Sequence, residues 1–280
     1  MMKNQFSRQL YAYECSGPTT PETEPTGEGY LGIWPERPFY YVFYERPAQS
    51  AVLAWLSEHG DGWCLKNTYQ LDYDQWQQVG ERDHYVGPFV IQSADRADAR
   101  DGLEDKIPIL VNAGVVFGTG LHATTRGCLL AIAQLFEKQA IKSVVDLGTG
   151  TGILALACGK LGASKTVALD CNPLAARVAL SNVAANAQTD RIHVLVAQDL
   201  TVLKGPFDLL LMNLEWPCLN QVLKEKQWLQ YGRVVLSGFL KSQLPQLQPV
   251  IGGVSEIVLQ LELEDWITLV AAPKRPLPEM

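Results

Sequence analysis

Three glycines and two carboxylates stand at the ends of apolar runs, where they can hold a small ligand at a sheet edge. Val144-Val-Asp-Leu-Gly-Thr-Gly-Thr-Gly152 passes from an apolar stretch into Asp146, then into Gly148, Gly150 and Gly152. The helix-like stretch Ile153 to Leu161 follows directly. Glycine admits positive φ and lets a ligand approach the backbone. A strand, tight turn and helix of this kind belong at the carboxyl end of the first strand of a doubly wound sheet, where such folds bind nucleotides. The second carboxylate closes Val167-Ala-Leu-Asp170, 22 residues beyond Gly148. An acid there accepts hydrogen bonds from both hydroxyls of a ribose. Its plain alternative is a solvated loop aspartate.

The glycine spacing selects the ligand. The dinucleotide fingerprint is Gly-x-Gly-x-x-Gly, with a pyrophosphate on the helix N-terminus. Here the pattern is Gly-x-Gly-x-Gly, and Asp146 stands two residues ahead of it. An acid repels a pyrophosphate and suits a cationic amino-acid moiety. S-adenosylmethionine carries an ammonium, a sulfonium and no phosphate. The spacing therefore favours a methyltransferase over a nicotinamide oxidoreductase. A third apolar run, Ile192 to Val196, leads to Gln198-Asp199. Asp199 is then placed for an adenine amino group, or is an ordinary loop acid. A fourth run, Phe207 to Asn213, ends in an amide. Asn213 offers an acceptor and a donor that can orient a substrate amine, or it serves the turn into the next helix.

These residues need a sheet to position them. A fifth run, Gly232 to Gly238, completes the parallel set, and Ile257 to Leu263 with Trp266 to Val270 reads as a terminal hairpin split by Glu264-Asp265. Strands alternating with helical segments predict an α/β, Rossmann-like sheet with right-handed crossovers and a terminal antiparallel hairpin.

Several ordered motifs together resemble one family. Phe117-Gly-Thr-Gly-Leu-His-Ala-Thr-Thr125, Asp146-Leu-Gly-Thr-Gly-Thr-Gly-Ile-Leu154, Leu236-Ser-Gly-Phe-Leu240 and Trp266-Ile-Thr-Leu-Val270 look like the bacterial PrmA family. Its members are class I methyltransferases that methylate amino groups of a large-subunit ribosomal protein with S-adenosylmethionine. The resemblance covers residues from about 107 to 272. It implies that Thr125, Gly148, Asp170 and Asn213 contact the cofactor and that His122 shares their loop. His122 can equally be a structural histidine beside the helix cap that Thr124 and Thr125 supply. The pattern departs from the family in three places. Asn112-Ala-Gly-Val-Val116 replaces Asp-Pro-Gly-Met-Ala, His122-Ala-Thr-Thr125 replaces His-Pro-Thr-Thr, and Asn213-Leu-Glu-Trp216 replaces Asn-Ile-Leu-Ala. Glu215 and Trp216 thus change the wall nearest the acceptor. Trp216 offers its face to a cationic acceptor, or it packs.

Residues 1 to 94 carry no nucleotide signature and read as a small α+β substrate-recognition domain; 95–106 reads as a charged linker, and 107–280 as the methyltransferase domain. Within the front domain, Ser16 to Gly29 is rich in Pro, Thr, Gly and Glu and reads as a linker or surface loop. Phe39–Tyr44, Trp63–Leu71 and Tyr85–Gln92 read as strands, and Ser50–His59 as a helix; Asp74-x-Trp76 and Val86-Gly-Pro-Phe-Val-Ile91 faintly echo the family. Net charge is −7, and most of it lies ahead of residue 101, where 14 acids face 8 bases. That balance suits a basic protein partner, by resemblance a ribosomal large-subunit protein, and opposes a direct grip on nucleic acid. It also serves solubility alone. The six cysteines form no Cys-x-x-Cys pair, so no metal is expected. Neither a signal-peptide core nor a membrane-length apolar run is present, which predicts a cytoplasmic protein.

The expected reaction is in-line methyl transfer to an amine. A free lysine has a pKa near 10.4, so on the order of one in a thousand is reactive at neutral pH. An apolar pocket raises that fraction by desolvation, and Asn213 holds the nitrogen in line. Two other readings compete: the same fold acting on another protein or a small molecule, and a binding module with a relic pocket.

Overall fold

The computed structural model describes residues 9–19, 21–36, 38–72, 83–93 and 105–274. The chain divides into two compact units, Met1–Glu81 and Arg82–Met280.

The front unit contains β1 (Gln9–Ser16), β2 (Tyr30–Glu36), β3 (Phe39–Tyr44), α1 (Gln49–Glu58) and β4 (Cys64–Asp72). The strands form one sheet in the order β2-β3-β1-β4, and the three pairings within it are antiparallel. Alternation puts Tyr13, Cys15, Tyr40, Val42 and Tyr44 on one face, where they bury Val52, Trp55 and Leu56 of α1. Sequence periodicity located α1, β3 and β4 but missed β1 and β2. Of the two readings of Ser16 to Gly29, the surface loop holds and the linker does not. The loop's carbonyls accept from the sheet and helix: Tyr40 donates to Thr19, Tyr44 to Thr26, and the Trp55 indole to Thr23. Asp74-x-Trp76 lies outside the described residues.

The second unit begins with β5 (His84–Val86), β6 (Phe89–Ser93) and β7 (Ile107–Val111). The single strand expected over Tyr85–Gln92 is a hairpin instead, folded at Gly87, whose φ is +55°. β6 pairs in parallel with β7. Phe89, Ile91 and Ile109 share a core with the helices of this unit, so 83–93 packs there rather than in front. The expected boundary at 94 thus differs from the division after Glu81. Of the expected linker, 95–104 lies outside the described residues.

There follow α2 (Ala123–Lys138), β8 (Ser143–Leu147), α3 (Ile153–Lys160), β9 (Lys165–Asp170), α4 (Pro173–Ala185), β10 (Ile192–Val196), β11 (Leu209–Asn213), α5 (Trp216–Glu225), β12 (Arg233–Leu240), α6 (Leu244–Gly252), β13 (Ser255–Leu263) and β14 (Trp266–Pro273). Seven strands form one sheet in the order β10-β9-β8-β11-β12-β14-β13. The first five run parallel, and β14 joins antiparallel to both β12 and β13. This is the α/β, Rossmann-like sheet with a terminal hairpin that the sequence predicts. Apolar helix faces cover both sides, which is why the central strands read as unbroken apolar runs. The hairpin turns at Glu264 and Asp265, both with positive φ, the geometry that matches strand twist. From β8 the chain builds outward to β9 and β10, then returns to build β11 and β12 on the other side. The crevice at that reversal is where ligands bind in such sheets.

Candidate active site

The glycine turn between β8 and α3 sits in that crevice. Gly148, Gly150 and Gly152 have φ of +73°, +55° and +83°, all in the left-handed region. Close approach also excludes a side chain at two of them. A Cβ on Gly150 would stand 2.6 Å from the Phe117 carbonyl oxygen, and one on Gly148 would stand 2.3 Å from Leu214 Cδ2.

Every amide of the turn is engaged within the protein. Gly148 and Thr149 donate to the Leu169 carbonyl, Gly150 to Asp170 Oδ2, Thr151 to the Phe117 carbonyl, and Gly152 to the Thr149 carbonyl. A phosphate-binding turn presents free N–H groups to the anion. This one presents none, and it has Asp146 and Asp170 beneath it. Pyrophosphate recognition, and with it the nicotinamide reading, does not fit this geometry.

Asp146 is 1 % exposed. Its Oδ2 accepts from the Thr149 hydroxyl at 2.6 Å and from the Ala155 amide at 3.2 Å. It therefore braces the turn against the first residues of α3. Burial pushes its pKa up to about 6, against the pull of those two donors. A carboxyl raised in the folded state binds extra protons there, so its contribution to stability is present at acid pH and is lost as pH rises through about 6. Asp146→Asn removes that loss. Its unfolding free energy relative to the parent protein is expected to gain about 1 kcal/mol between pH 5 and pH 8. Urea unfolding at the two pH values checks this; a pH-independent difference removes the raised carboxyl.

Asp170 ends β9 and is partly open. Its Oδ1 accepts from the Asn172 amide at 2.9 Å and its Oδ2 from the Gly150 amide at 3.0 Å. A carboxylate oxygen has two lone pairs, so each oxygen keeps one for a further donor. Burial raises its pKa, and the two backbone donors oppose that rise. Asn172 caps α4 by accepting from Leu174, yet its buried Nδ2 has no partner. That orphaned donor is a second polar group beside Asp170 available to a ligand.

The segment ahead of α2 docks on the turn. The Gly118 carbonyl accepts from the Thr151 hydroxyl at 2.7 Å, while the Phe117 ring stays 53 % exposed. The side chain of Asn182 in α4 locks this arrangement. It donates to the carbonyls of Thr151 and Asn112 and accepts from the Asn112 amide. His122 is the N-cap of α2: Nδ1 accepts from the Thr124 amide and meets the Thr124 hydroxyl at 2.9 Å. Its ring lies edge-on to Phe117 and Trp266 at 5.4 and 4.9 Å. Burial lowers its pKa, which suits an accepting Nδ1.

Asn213 ends β11 beside Ser237 of β12. Its Nδ2 points to the Thr125 hydroxyl at 3.5 Å. Thr125 is 1 % exposed in the first turn of α2, so it stands behind Asn213. Leu214 next crosses Gly238 so closely that a Cβ there would lie 1.9 Å from the Leu214 carbonyl oxygen. Gly238, φ +95°, therefore sets the path of the strand tip. Glu215 occupies the N-cap position of α5, exposed and without a capping bond. Trp216 packs half-buried, with its ring 6.2 Å from that of Phe239. Asp199 caps a single turn, Leu200–Val202, through bonds to Thr201.

The crevice thus gathers Gly148, Gly150 and Asp170 on one turn, and Asn213 and Thr125 on each other. Asp146, His122 and Asp199 also make local structural bonds. Sequence reasoning singled out neither Phe117, Asn182, Leu214 nor Gly238 as site residues. Phe117 and Gly238 lay inside quoted motifs. Asn182 carried no signal at all, because its partners lie 31 and 70 residues away. Among the described residues no group of His, Cys, Asp or Glu can hold a metal.

The chain is similar in sequence and fold to known proteins. A family model described as ribosomal protein L11 methyltransferase (PrmA) matches residues 82–274. The ribosomal protein L11 methyltransferase of Bradyrhizobium diazoefficiens is 34 % identical over 192 residues, 66 % of this chain and 64 % of the relative. That of Rhizobium leguminosarum bv. trifolii is 39 % identical over 165 residues, 56 % of each chain. The match thus spans less than two thirds of these relatives. The crystal structure of ribosomal protein L11 methylase from Lactobacillus delbrueckii subsp. bulgaricus superposes with a TM-score of 0.63 at 27 % identity, over 69 % of this chain and 100 % of that one.

Proposed function

The chain belongs to the PrmA family of ribosomal protein L11 methyltransferases, and from that premise we propose that it transfers methyl groups from S-adenosylmethionine to amino groups of ribosomal protein L11. The observation that carries the reading is the turn whose amides are all spent internally while Asp170 keeps lone pairs open beside it. Such a site takes a ribose and a cationic amino acid, and it rejects a phosphate.

Asp170 holds the ribose hydroxyls, Gly148 and Gly150 admit the ligand to the backbone, and Asp146 keeps the turn in shape. Asp199 lies toward the base. When bound, the cofactor supplies an electrophilic methyl on a good leaving group. The chain then has to align and desolvate the amine. With Nδ2 of Asn213 turned to Thr125, its carbonyl oxygen remains to accept an N–H of the acceptor. Apolar surroundings from Phe117, Leu214 and Trp216 favour the neutral amine, and solvent takes the proton. His122 and Glu215 flank the acceptor side. The front unit, residues 1–81, captures the protein substrate, and the six free thiols suit the reducing cytoplasm. Among the described residues no helix is long and apolar enough to cross a membrane.

The test incubates the full chain with L11 and cofactor labelled in its methyl group. Label in L11 amino groups is expected. Cofactor binding without label in L11 would transfer the proposal to another acceptor, the reading that the altered Asn213-Leu-Glu-Trp216 wall favours.

A further inference from the structure

The front sheet has a second face, away from α1, and it carries one buried acid. Glu14 alternates with Tyr13 and Cys15, so it points away from the aromatic core. It is only 8 % exposed. Both of its described partners bind one oxygen: Tyr69 donates to Oε2 at 2.6 Å and Asn67 Nδ2 donates to Oε2 at 2.9 Å. These two donors hold its pKa below the ordinary range, so the group is ionised. No lysine or arginine among the described residues forms an ion pair with it. The only described base whose charge acts on it is Lys66, in the bulge of β4.

Aromatic residues share the Glu14 face of the sheet. Cross-strand register places Trp34 opposite Tyr41, Tyr41 opposite Glu14, and Glu14 opposite Asn67. Residues directly opposite share a face at about 5 Å. Tyr69, opposite Ala12, is the diagonal neighbour of Glu14 and is 39 % exposed. Trp34 and Tyr41 are half-buried. Glu36 adds a second negative charge that reaches Tyr41. The surrounding unit, Met1–Glu81, holds 11 acids and 5 bases, a net charge of −6.

We propose that the Glu14 face of the front sheet docks a lysine side chain of a basic protein. The chemistry selects this occupant. An ionised acid nine-tenths out of water, with no ion pair to a base among the described residues, favours a cation, and the faces of Trp and Tyr favour one too. An arginine fork wants two carboxylate oxygens side by side. Here Tyr69 and Asn67 already occupy Oε2, which leaves Oε1 for the compact ammonium. Nucleic acid is opposed by the net charge. The site rests on the proposed function in one respect: the lysine presented would belong to the protein that the other unit methylates.

The experiment reads binding and turnover separately. A fluorescein-labelled oligolysine peptide is titrated against the full chain, against Glu14→Gln and against Trp34→Ala. Its Nε-acetylated version and an oligoarginine peptide serve as controls. Glu14→Gln keeps an acceptor for Tyr69 and Asn67, so the sheet is expected to stay folded. Oligolysine is expected to bind about tenfold more weakly to either variant, as for a lost charged contact of about 1.4 kcal/mol. The acetylated peptide should not bind, and oligoarginine should bind more weakly than oligolysine. With L11 as substrate, the KM of Glu14→Gln should rise with kcat and cofactor affinity unchanged. Equal oligolysine binding by parent and Glu14→Gln overturns the proposal, and so does no binding by the parent. If peptide binding follows Glu14 but L11 takes up no methyl, the catalytic reading fails and the lysine site stands.

Discussion

Asp170→Ala is expected to weaken S-adenosylmethionine binding by about 100-fold or more, since a hydrogen bond to a charged group contributes about 1.5–3 kcal/mol and two are lost. The geometry sharpens this expectation. Each oxygen of Asp170 already holds one backbone N–H, from Gly150 and from Asn172, and keeps one lone pair for the ligand. Alanine therefore removes both contacts and also releases the amide of Gly150 in the middle of the turn. Asp170→Asn separates the two effects. It retains one carbonyl acceptor, and its affinity should fall between those of the parent protein and the alanine variant. Calorimetric titration of the three proteins, with their unfolding midpoints measured alongside, makes the comparison. Undiminished affinity in a folded Asp170→Ala protein would remove Asp170 from the cofactor site. No binding by the folded parent protein would reopen the relic-pocket reading.

Asn213→Ala should show the opposite division. Turnover is expected to fall about 100-fold, as alignment of the acceptor is lost. Cofactor affinity should stay within about twofold, because the hydrogen bonds assigned to the ribose belong to Asp170. Asn213 sits at the tip of β11 with its amide directed to the buried Thr125 hydroxyl at 3.5 Å. That contact decides which end of the side chain faces the acceptor. Thr125→Val should therefore lose part of the turnover without touching the acceptor itself. Single-turnover methylation with saturating cofactor is the measurement. Unchanged turnover removes Asn213 from the mechanism, and lost cofactor affinity makes it a cofactor ligand instead.

Much of this architecture is legible in the chain. The four inner parallel strands are read from apolar runs, because burial on both faces leaves no polar alternation to obscure them. The terminal hairpin is read from Glu264-Asp265 between two such runs. The front unit is less legible. β1 mixes Tyr, Glu, Cys and Ser, since one of its faces carries the Glu14 site rather than a core. β2 contains Gly and Pro and sits at the sheet edge. The hairpin at Gly87 reads as one strand in the sequence because its two arms are apolar on both sides of a two-residue turn.

The glycine turn, the acids at the ends of two apolar runs, the amide at the end of a third and the family are all legible in the residues alone. Each is a local signal, a residue type at the end of an apolar run. What these groups are free to do depends on the folded chain around them. Asp146 and Asp170 look alike in sequence, yet one is sealed in the turn and the other keeps open lone pairs. The difference arises from partners supplied by α3 and by the turn itself, at separations that no local pattern records. Likewise the direction of Asn213 depends on Thr125, 88 residues earlier. Hydrogen-bond capacity is written in the residue type, but its spending is settled by which distant groups the fold brings within reach.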